Sequence, residues 1–310
     1  MKPISIPKWR SWLIKPGFKS SLFHQEDFRR DRYKYMKPPR WMIGKWGWNR
    51  IPRLLGLIYL SLTIMTCSLS NKIIFLPPPP QYAEYGADLE ILDPGEQQVA
   101  CFYLPPKENQ FVLLWAHGNA EDIGSLKPLF EAFQMQGLGV LGYDYPGYGH
   151  SAGSPGERSC YRNAERAYQF LVEEQKIDPA RLILLGQSVG TGPTCWLAER
   201  HQVHGVVLIA PFLSVYRTLT HFPIIPGDKF KNLKRIRKIE APLLVIHGTS
   251  DRAIPFRQGQ RIYHEHRGPK TFLEIKGAGH NNIWNKGWTE MFEAIKTLAK
   301  IPRSQPPSAP

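Results

Sequence analysis

LILLGQSVGTGP, residues 182–193, opens with an apolar run, continues as Gly186-Gln187-Ser188-Val189-Gly190 and ends in further small residues. A serine hydroxyl is a poor nucleophile unless a base removes its proton. It must also stand clear of the backbone so that a carbonyl carbon can approach. A sharp strand-to-helix turn meets that need, and its crowded backbone tolerates only small neighbours. Gly186 and Gly190 flank Ser188 at the required spacing, and Gly192 keeps the next turn thin. Glycine and serine are common, so the pattern alone is weak. A strand before it and a helix after it would separate a reactive Ser188 from an inert turn serine.

Working outward, apolar runs of strand length recur at Val99–Tyr103, Phe111–Ala116, Gly139–Tyr143, Leu182–Leu185, Gly205–Ala210, Leu243–His247 and Thr271–Ile275. Helix-length segments separate most of them, near 125–136, 159–175, 191–200, 256–265 and 288–300. The clearest is 159–175, where Tyr161, Ala164, Tyr168, Leu171 and Val172 recur near a 3.6 period and charges fill the other face. Alternating helices and continuously apolar strands predict an α/β fold with a mostly parallel central sheet and helices on both faces. Reacting groups in such sheets sit on loops at the carboxyl ends of the strands.

Five strand ends carry suggestive residues: HGNA (117–120), DYPGYGHSAG (144–153), GQSVG (186–190), GTSDRAIP (248–255) and KGAGHNNI (276–283). His280 follows the last strand, in a glycine-containing loop able to bring its ring over the sheet, and is the candidate base. Among the other histidines, His264 and His266 lie on a polar helix end and read as solvated. His247 ends an apolar strand and reads as a packed core residue, and His24, His201, His204 and His221 follow no suitable strand. Asp251 is the candidate orienting acid, since a buried carboxylate accepting the imidazole N–H fixes its tautomer. Its rival Asp228 follows no strand. Donors for a developing oxyanion are backbone N–H groups. Val189 is one, and Asn119, with Ala120 as the alternative, is the second. His117 reads as a brace for its loop.

These motifs, in this order, resemble the α/β-hydrolase superfamily. The nearest likeness is the branch of protein-depalmitoylating hydrolases with its bacterial relatives labelled as S9/S33-type peptidases. NKIIFLPPPPQY (71–82) is similar to that branch too, and the resemblance spans roughly 71–300. It implies an α/β-hydrolase fold with Ser188 as nucleophile, Asp251 as acid, His280 as base and Asp144 as a supporting residue. Pro146 departs from the Arg or Ser that relatives often carry there, and His150 is a residue able to line the pocket. Only 32 residues lie between Ala210 and Leu243, which leaves a short cap or none. An uncapped site accepts bulky acyl groups. The basic stretch DKFKNLKRIRK (228–238) reads as a solvated helix face.

The chain has 310 residues and a net charge of +14. Residues 1–53 carry 14 Lys/Arg against Glu26, Asp27 and Asp31, so +11 sits in this arm and +3 in the rest. No nucleic-acid motif accompanies the arm, and the uncharged run LLGLIYLSLTIMTCSLS (54–70) follows it directly, so a membrane is the expected partner. The expected organisation is a basic arm (1–53), a membrane-anchor candidate (54–70), a hydrolase domain (71–302) and a disordered tail (303–310). The anchor is read as a single span placing the hydrolase on the extracytoplasmic side. One alternative is a lipid attached at Cys67 after a start at Met42, and another is a buried or interfacial helix. Cys101, Cys160 and Cys195 lack C-x-x-C spacing and read as buried thiols. No metal or organic cofactor is expected.

Two classes of function fit. One is a membrane-tethered serine hydrolase acting on acyl esters or thioesters, of a lipid or a lipidated protein, with peptide bonds as the alternative. The other is a non-catalytic scaffold of the same fold. A scaffold has no need to keep Ser188, Asp251, His280 and both elbow glycines together.

Overall fold

The computed structural model describes residues 47–300 apart from 84–85, 87, 94, 96, 108–109 and 219–226. Most of the basic arm and the whole 303–310 tail lie outside the described residues. The chain divides into two compact units between Leu60 and Ser61. The first described element is helix α1, Gly47–Ile74, which carries Pro52.

The second unit holds an eight-stranded sheet in the order β1-β2-β4-β3-β5-β6-β7-β8. The strands are β1 (Leu89–Leu92), β2 (Val99–Leu104), β3 (Val112–Ala116), β4 (Gly139–Tyr143), β5 (Leu182–Gln187), β6 (Gly205–Ile209), β7 (Leu243–Gly248) and β8 (Lys270–Ile275). From β4 through β8 all pairings are parallel, with registers such as Ala116↔Gly186 and Gln187↔Ile209. β1 and β2 join antiparallel at one edge.

Helices cover both faces, which is why the central strands are apolar at every position. Leu113, Trp115, Ile183, Leu185 and Val207 point to one face. There they pack under α2 (Ile123–Met135) and α7 (Ile283–Ala299). Leu114, Leu184, Val206, Leu208 and Val245 point to the other. That face is covered by α3 (Glu157–Gln169), α4 (Thr191–Ala198) and α6 (Phe256–Glu265), with α5 (Asn232–Ile236) a short turn between β6 and β7. α3 runs on as a π-helical turn, Phe170–Glu174, matching the periodic segment read over 159–175. Asp122 starts α2 with a capping box, its Oδ1 accepting the Ser125 N–H at 3.0 Å. Cys101, Cys160 and Cys195 are free buried thiols.

The expected membrane span requires correction. Among the described residues, no helix is long and apolar enough to cross a membrane. α1 has 28 residues, so length is not what it lacks. Ser61, Thr63, Thr66, Ser68 and Ser70 dilute its apolar stretch. The expected extracytoplasmic orientation presupposed that crossing. What α1 does present is apolar exposure: Ile51, Leu54, Leu55, Leu57, Ile58, Tyr59 and Leu60 are all exposed.

Candidate active site

Ser188 closes β5 at the point where the chain turns into α4, so strand and helix flank it as the reading of 182–193 required. Its φ of +53° lies in the left-handed region that side chains rarely adopt. The turn is held by the Thr191 hydroxyl donating to the Ser188 carbonyl at 2.7 Å. The flanking glycines are required by close approach. A Cβ on Gly190 would overlap the Ala116 and His117 carbonyls at the end of β3, and one on Gly186 would overlap Thr194 and the Gly190 backbone. The elbow is therefore packed directly against the loop that follows β3.

Residues 92 and 29 positions apart meet over this elbow. Ser188 Oγ lies 2.9 Å from His280 Nε2, and His280 Nδ1 lies 2.7 Å from Asp251 Oδ2. Nδ1 faces a carboxylate and so carries the proton, which leaves the Nε2 lone pair aimed at the serine hydroxyl. Ser188 and His280 are half-buried, whereas Asp251 is almost wholly enclosed. Its Oδ1 accepts the N–H groups of Ala253 and Ile254 at 2.9 and 2.8 Å, and His247 Nε2 stands 3.6 Å from its Oδ2. Burial alone would push the Asp251 carboxyl up. Hydrogen bonds from His247, His280 and Ile254 outweigh it and hold the group well below the usual carboxylate range. The acid and base loops are stitched together, with Ser250 N–H donating to Ala278 O at 2.9 Å and Gly277 N–H to Thr249 Oγ1 at 2.8 Å.

The other expected residues fall as follows. Val189 and Asn119 both line a cleft of about 650 Å³ that contains Ser188 and His280. His117 is buried beneath the β3 loop. Its Nδ1 contacts Gly118 O at 2.7 Å, and its Nε2 lies 3.3 Å from Asp144 Oδ1. Asp144 is buried, accepts the Ile123 N–H at 3.0 Å and is not among the residues lining the cleft. His247 is a core residue in contact with Ile254 O at 3.0 Å. His266, expected in solvent, is instead buried where the chain leaves α6. His150 does not line the cleft; it packs edge-on against Tyr82 with ring centroids 4.9 Å apart. Asp228 is bound up with the Tyr216 N–H at 2.9 Å.

Several cleft residues escaped the sequence reading. Ile74, Phe212, Val215, Ile254 and Trp284 supply apolar walls, and among the described residues Glu121 is the one carboxylate in the lining. Burial pushes the Glu121 carboxyl up against the pull of His117 and of the Gly118 N–H, which donates to it at 2.5 Å. Ile254 lies within a strand-end stretch and Glu121 and Trp284 directly follow two others, but nothing in their residue type marks them as facing a cleft. Among the described residues, no cluster of three or more His, Cys, Asp or Glu side chains is arranged to hold a metal ion.

Residues 107–234 match the family model described as "Serine aminopeptidase, S33". The human alpha/beta hydrolase domain-containing protein 17B is 32% identical over 248 residues, covering 69% of this chain and 85% of that protein. Alpha/beta hydrolase domain-containing protein aho-3 of Caenorhabditis elegans is 32% identical over 254 residues, covering 70% and 74%. Among solved structures, a thermophilic esterase of Thermogutta terrifontis with butyrate bound superposes with a TM-score of 0.58 at 16% identity, covering 72% of this chain and 97% of the esterase. That likeness carries the fold alone. The sheet order, the elbow and the kinship at 32% identity agree: the chain is a hydrolase and belongs to the α/β-hydrolase superfamily, with the alpha/beta hydrolase domain-containing proteins.

Proposed function

We propose that this hydrolase cleaves carboxylic esters or acyl thioesters through an acyl-enzyme on Ser188. The observation that carries the reading is the line from Ser188 Oγ to His280 Nε2 at 2.9 Å and from His280 Nδ1 to Asp251 Oδ2 at 2.7 Å. Ser188 Oγ attacks the acyl carbon while its proton passes to His280 Nε2. Asp251 stabilises the imidazolium, and the Val189 and Asn119 N–H groups receive the oxyanion. Collapse breaks the bond to the alcohol or thiol, which leaves with the proton from His280. Water then repeats the sequence and releases the acid.

The apolar walls of Ile74, Phe212, Val215, Ile254 and Trp284 favour an acyl chain as the bound group. A lipid or a lipidated protein would bring such a chain. The exposed apolar residues of α1 and the basic arm before it favour attachment at an anionic lipid surface, with the helix lying in the interface. The name of the matched family supports a peptidase as the second reading. An aminopeptidase has to recognise a free α-amine, and among the described residues Glu121 is the single carboxylate lining the cleft.

A fluorophosphonate probe should label the wild-type chain and leave Ser188→Ala unlabelled. Equal labelling of both would remove Ser188 from the chemistry. Turnover of a palmitoyl thioester should exceed that of an aminoacyl-amide, and dominant amide cleavage would replace this reading by the peptidase.

A further inference from the structure

The proposed chemistry uses the backbone of the loop at 117–122 and leaves its side chains unassigned. That loop is strained, with Ala120 at φ +58°. A non-glycine residue keeps such a conformation only where its surroundings over-determine it. The surroundings here are the nine residues Ile74–Tyr82, at and after the end of α1. The Asn119 side chain spans two of their backbone groups. Its Nδ2 donates to the Ile74 carbonyl at 2.7 Å, and its Oδ1 accepts the Leu76 N–H at 2.9 Å and the Tyr148 hydroxyl at 2.6 Å. Three positions on, Asp122 Oδ2 accepts the Gln81 N–H at 2.7 Å, while its Oδ1 caps α2. Tyr82 then donates its hydroxyl to Asp144 Oδ2 at 2.5 Å.

Between the two anchor points lie Pro77, Pro78, Pro79 and Pro80. A run of prolines is an extended, stiff spacer. Three of the four are exposed, so core packing does not account for them. Phe75 is buried edge-on to Phe230 and fixes the start of the segment, and Ile74 itself lines the cleft. The strap is therefore joined to the loop on either side of Ala120 and held at a fixed span between the joints.

We infer that the strap Ile74–Tyr82 is a positioning element for the oxyanion loop, acting through the Asn119 side chain at one end and Asp122 at the other. The inference rests on the serine-hydrolase reading. Its consequence is that catalytic power depends on a segment outside the sheet, through the placement of the Asn119 N–H. Loss of one oxyanion donor costs about 100- to 1,000-fold in kcat, and a displacement of about 1 Å costs about 100-fold.

The test uses the full chain with p-nitrophenyl butyrate and a fluorophosphonate. Wild-type reactivity absent from Ser188→Ala establishes the underlying reading, and without it that reading fails first. Given it, Asn119→Ala should lower kcat and probe reactivity about 10- to 100-fold, with KM within about threefold. Asn119→Asp keeps the acceptor for Leu76 and Tyr148 but sets a carboxylate oxygen against the Ile74 carbonyl, and should lower kcat at least as far as Asn119→Ala. Replacing all four prolines by serine should lower kcat about 3- to 10-fold in a protein that stays folded at the assay temperature, with a lower Tm because the unfolded chain gains freedom. A folded Asn119→Ala protein with wild-type kcat, or one altered only in KM, overturns the proposal. If Asn119→Ala does not fold, the proline variant and Tyr148→Phe decide, and wild-type kcat in both overturns it.

Discussion

Asp251→Asn isolates what the acid does, because the structure dictates how the amide must sit. Asp251 Oδ1 accepts two backbone N–H groups, from Ala253 and Ile254, at 2.9 and 2.8 Å. Those donors cannot change, so the asparagine oxygen has to stay with them. The NH2 group then takes the place of Oδ2, 2.7 Å from His280 Nδ1. Two donors cannot face each other at that distance. The imidazole can adapt, by accepting at Nδ1 and moving its proton to Nε2. Nε2 is the atom 2.9 Å from Ser188 Oγ, and once protonated it has no lone pair to take the serine proton. The side chain keeps its volume and most of its hydrogen bonds, so the fold should survive. Loss of the correct tautomer costs about 10⁴ in kcat in other triads, or about 5.4 kcal/mol at 1.36 kcal/mol per tenfold. Steady-state hydrolysis of p-nitrophenyl butyrate at pH 8 reads it, with Tm as the check on folding. A folded Asp251→Asn protein within tenfold of wild-type kcat would refute the tautomer argument and the role given to Asp251.

Gly190→Ala should cost about 100-fold in kcat, since its Cβ would overlap the Ala116 and His117 carbonyls and push the elbow off the β3 loop; Gly86→Ala, whose Cβ meets nothing within 4 Å, is the control that should retain full activity. Burial lowers the pKa of the His266 imidazole, with the Lys270 ammonium adding to it. Its contribution to stability is thus present above the unfolded value near 6.5 and lost as pH falls from there toward the depressed folded value. Urea midpoints should decline below about pH 6.5, and more shallowly in His266→Gln; identical slopes would sink the assignment. Asp251, also depressed, adds stability above about pH 3.9 that is lost as pH falls through its folded value. Replacing exposed Leu54, Leu57 and Ile58 by serine should reduce co-sedimentation with phosphatidylserine vesicles while leaving hydrolysis of a soluble ester intact, and undiminished sedimentation would detach α1 from the lipid.

The central strands were legible because burial on both faces leaves no polar position to interrupt the run. β1 was not. Leu89–Leu92 is a four-residue edge strand with Glu90 exposed and acidic residues on both flanks, and neither its length nor its alternation stands out. The first turn of α7 was hidden by Gly287, whose φ of −123° kinks the helix and whose bare Cα lets Ile275 approach. The meeting of Ser188, Asp251 and His280 was legible as an expectation because parallel strands deliver their carboxyl ends to one edge, which leaves few loops for the ten histidines to qualify on. The cleft walls had no such rule, since an apolar residue on a loop looks the same whether it faces a core or a substrate.

The strap shows where reading by periodicity stops. Four prolines at 77–80 make a stiff run, and nothing in their pattern tells which loop they touch. Asn119 was selected for its backbone N–H, to which the side chain is irrelevant. In the fold the two meet: the amide of Asn119 is spent on Ile74 and Leu76, so the side chain at that position is constrained as tightly as the glycines of the elbow. Asparagine suits it because one planar group must donate to a carbonyl and accept from an N–H two residues further on. Aspartate lacks the donor, serine lacks the reach, and glutamine would move the amide by one methylene. On the proposed mechanism this residue meets two independent demands, one on its backbone from the developing oxyanion and one on its side chain from the strap. The first leaves the side chain free, and the second is what accounts for asparagine there.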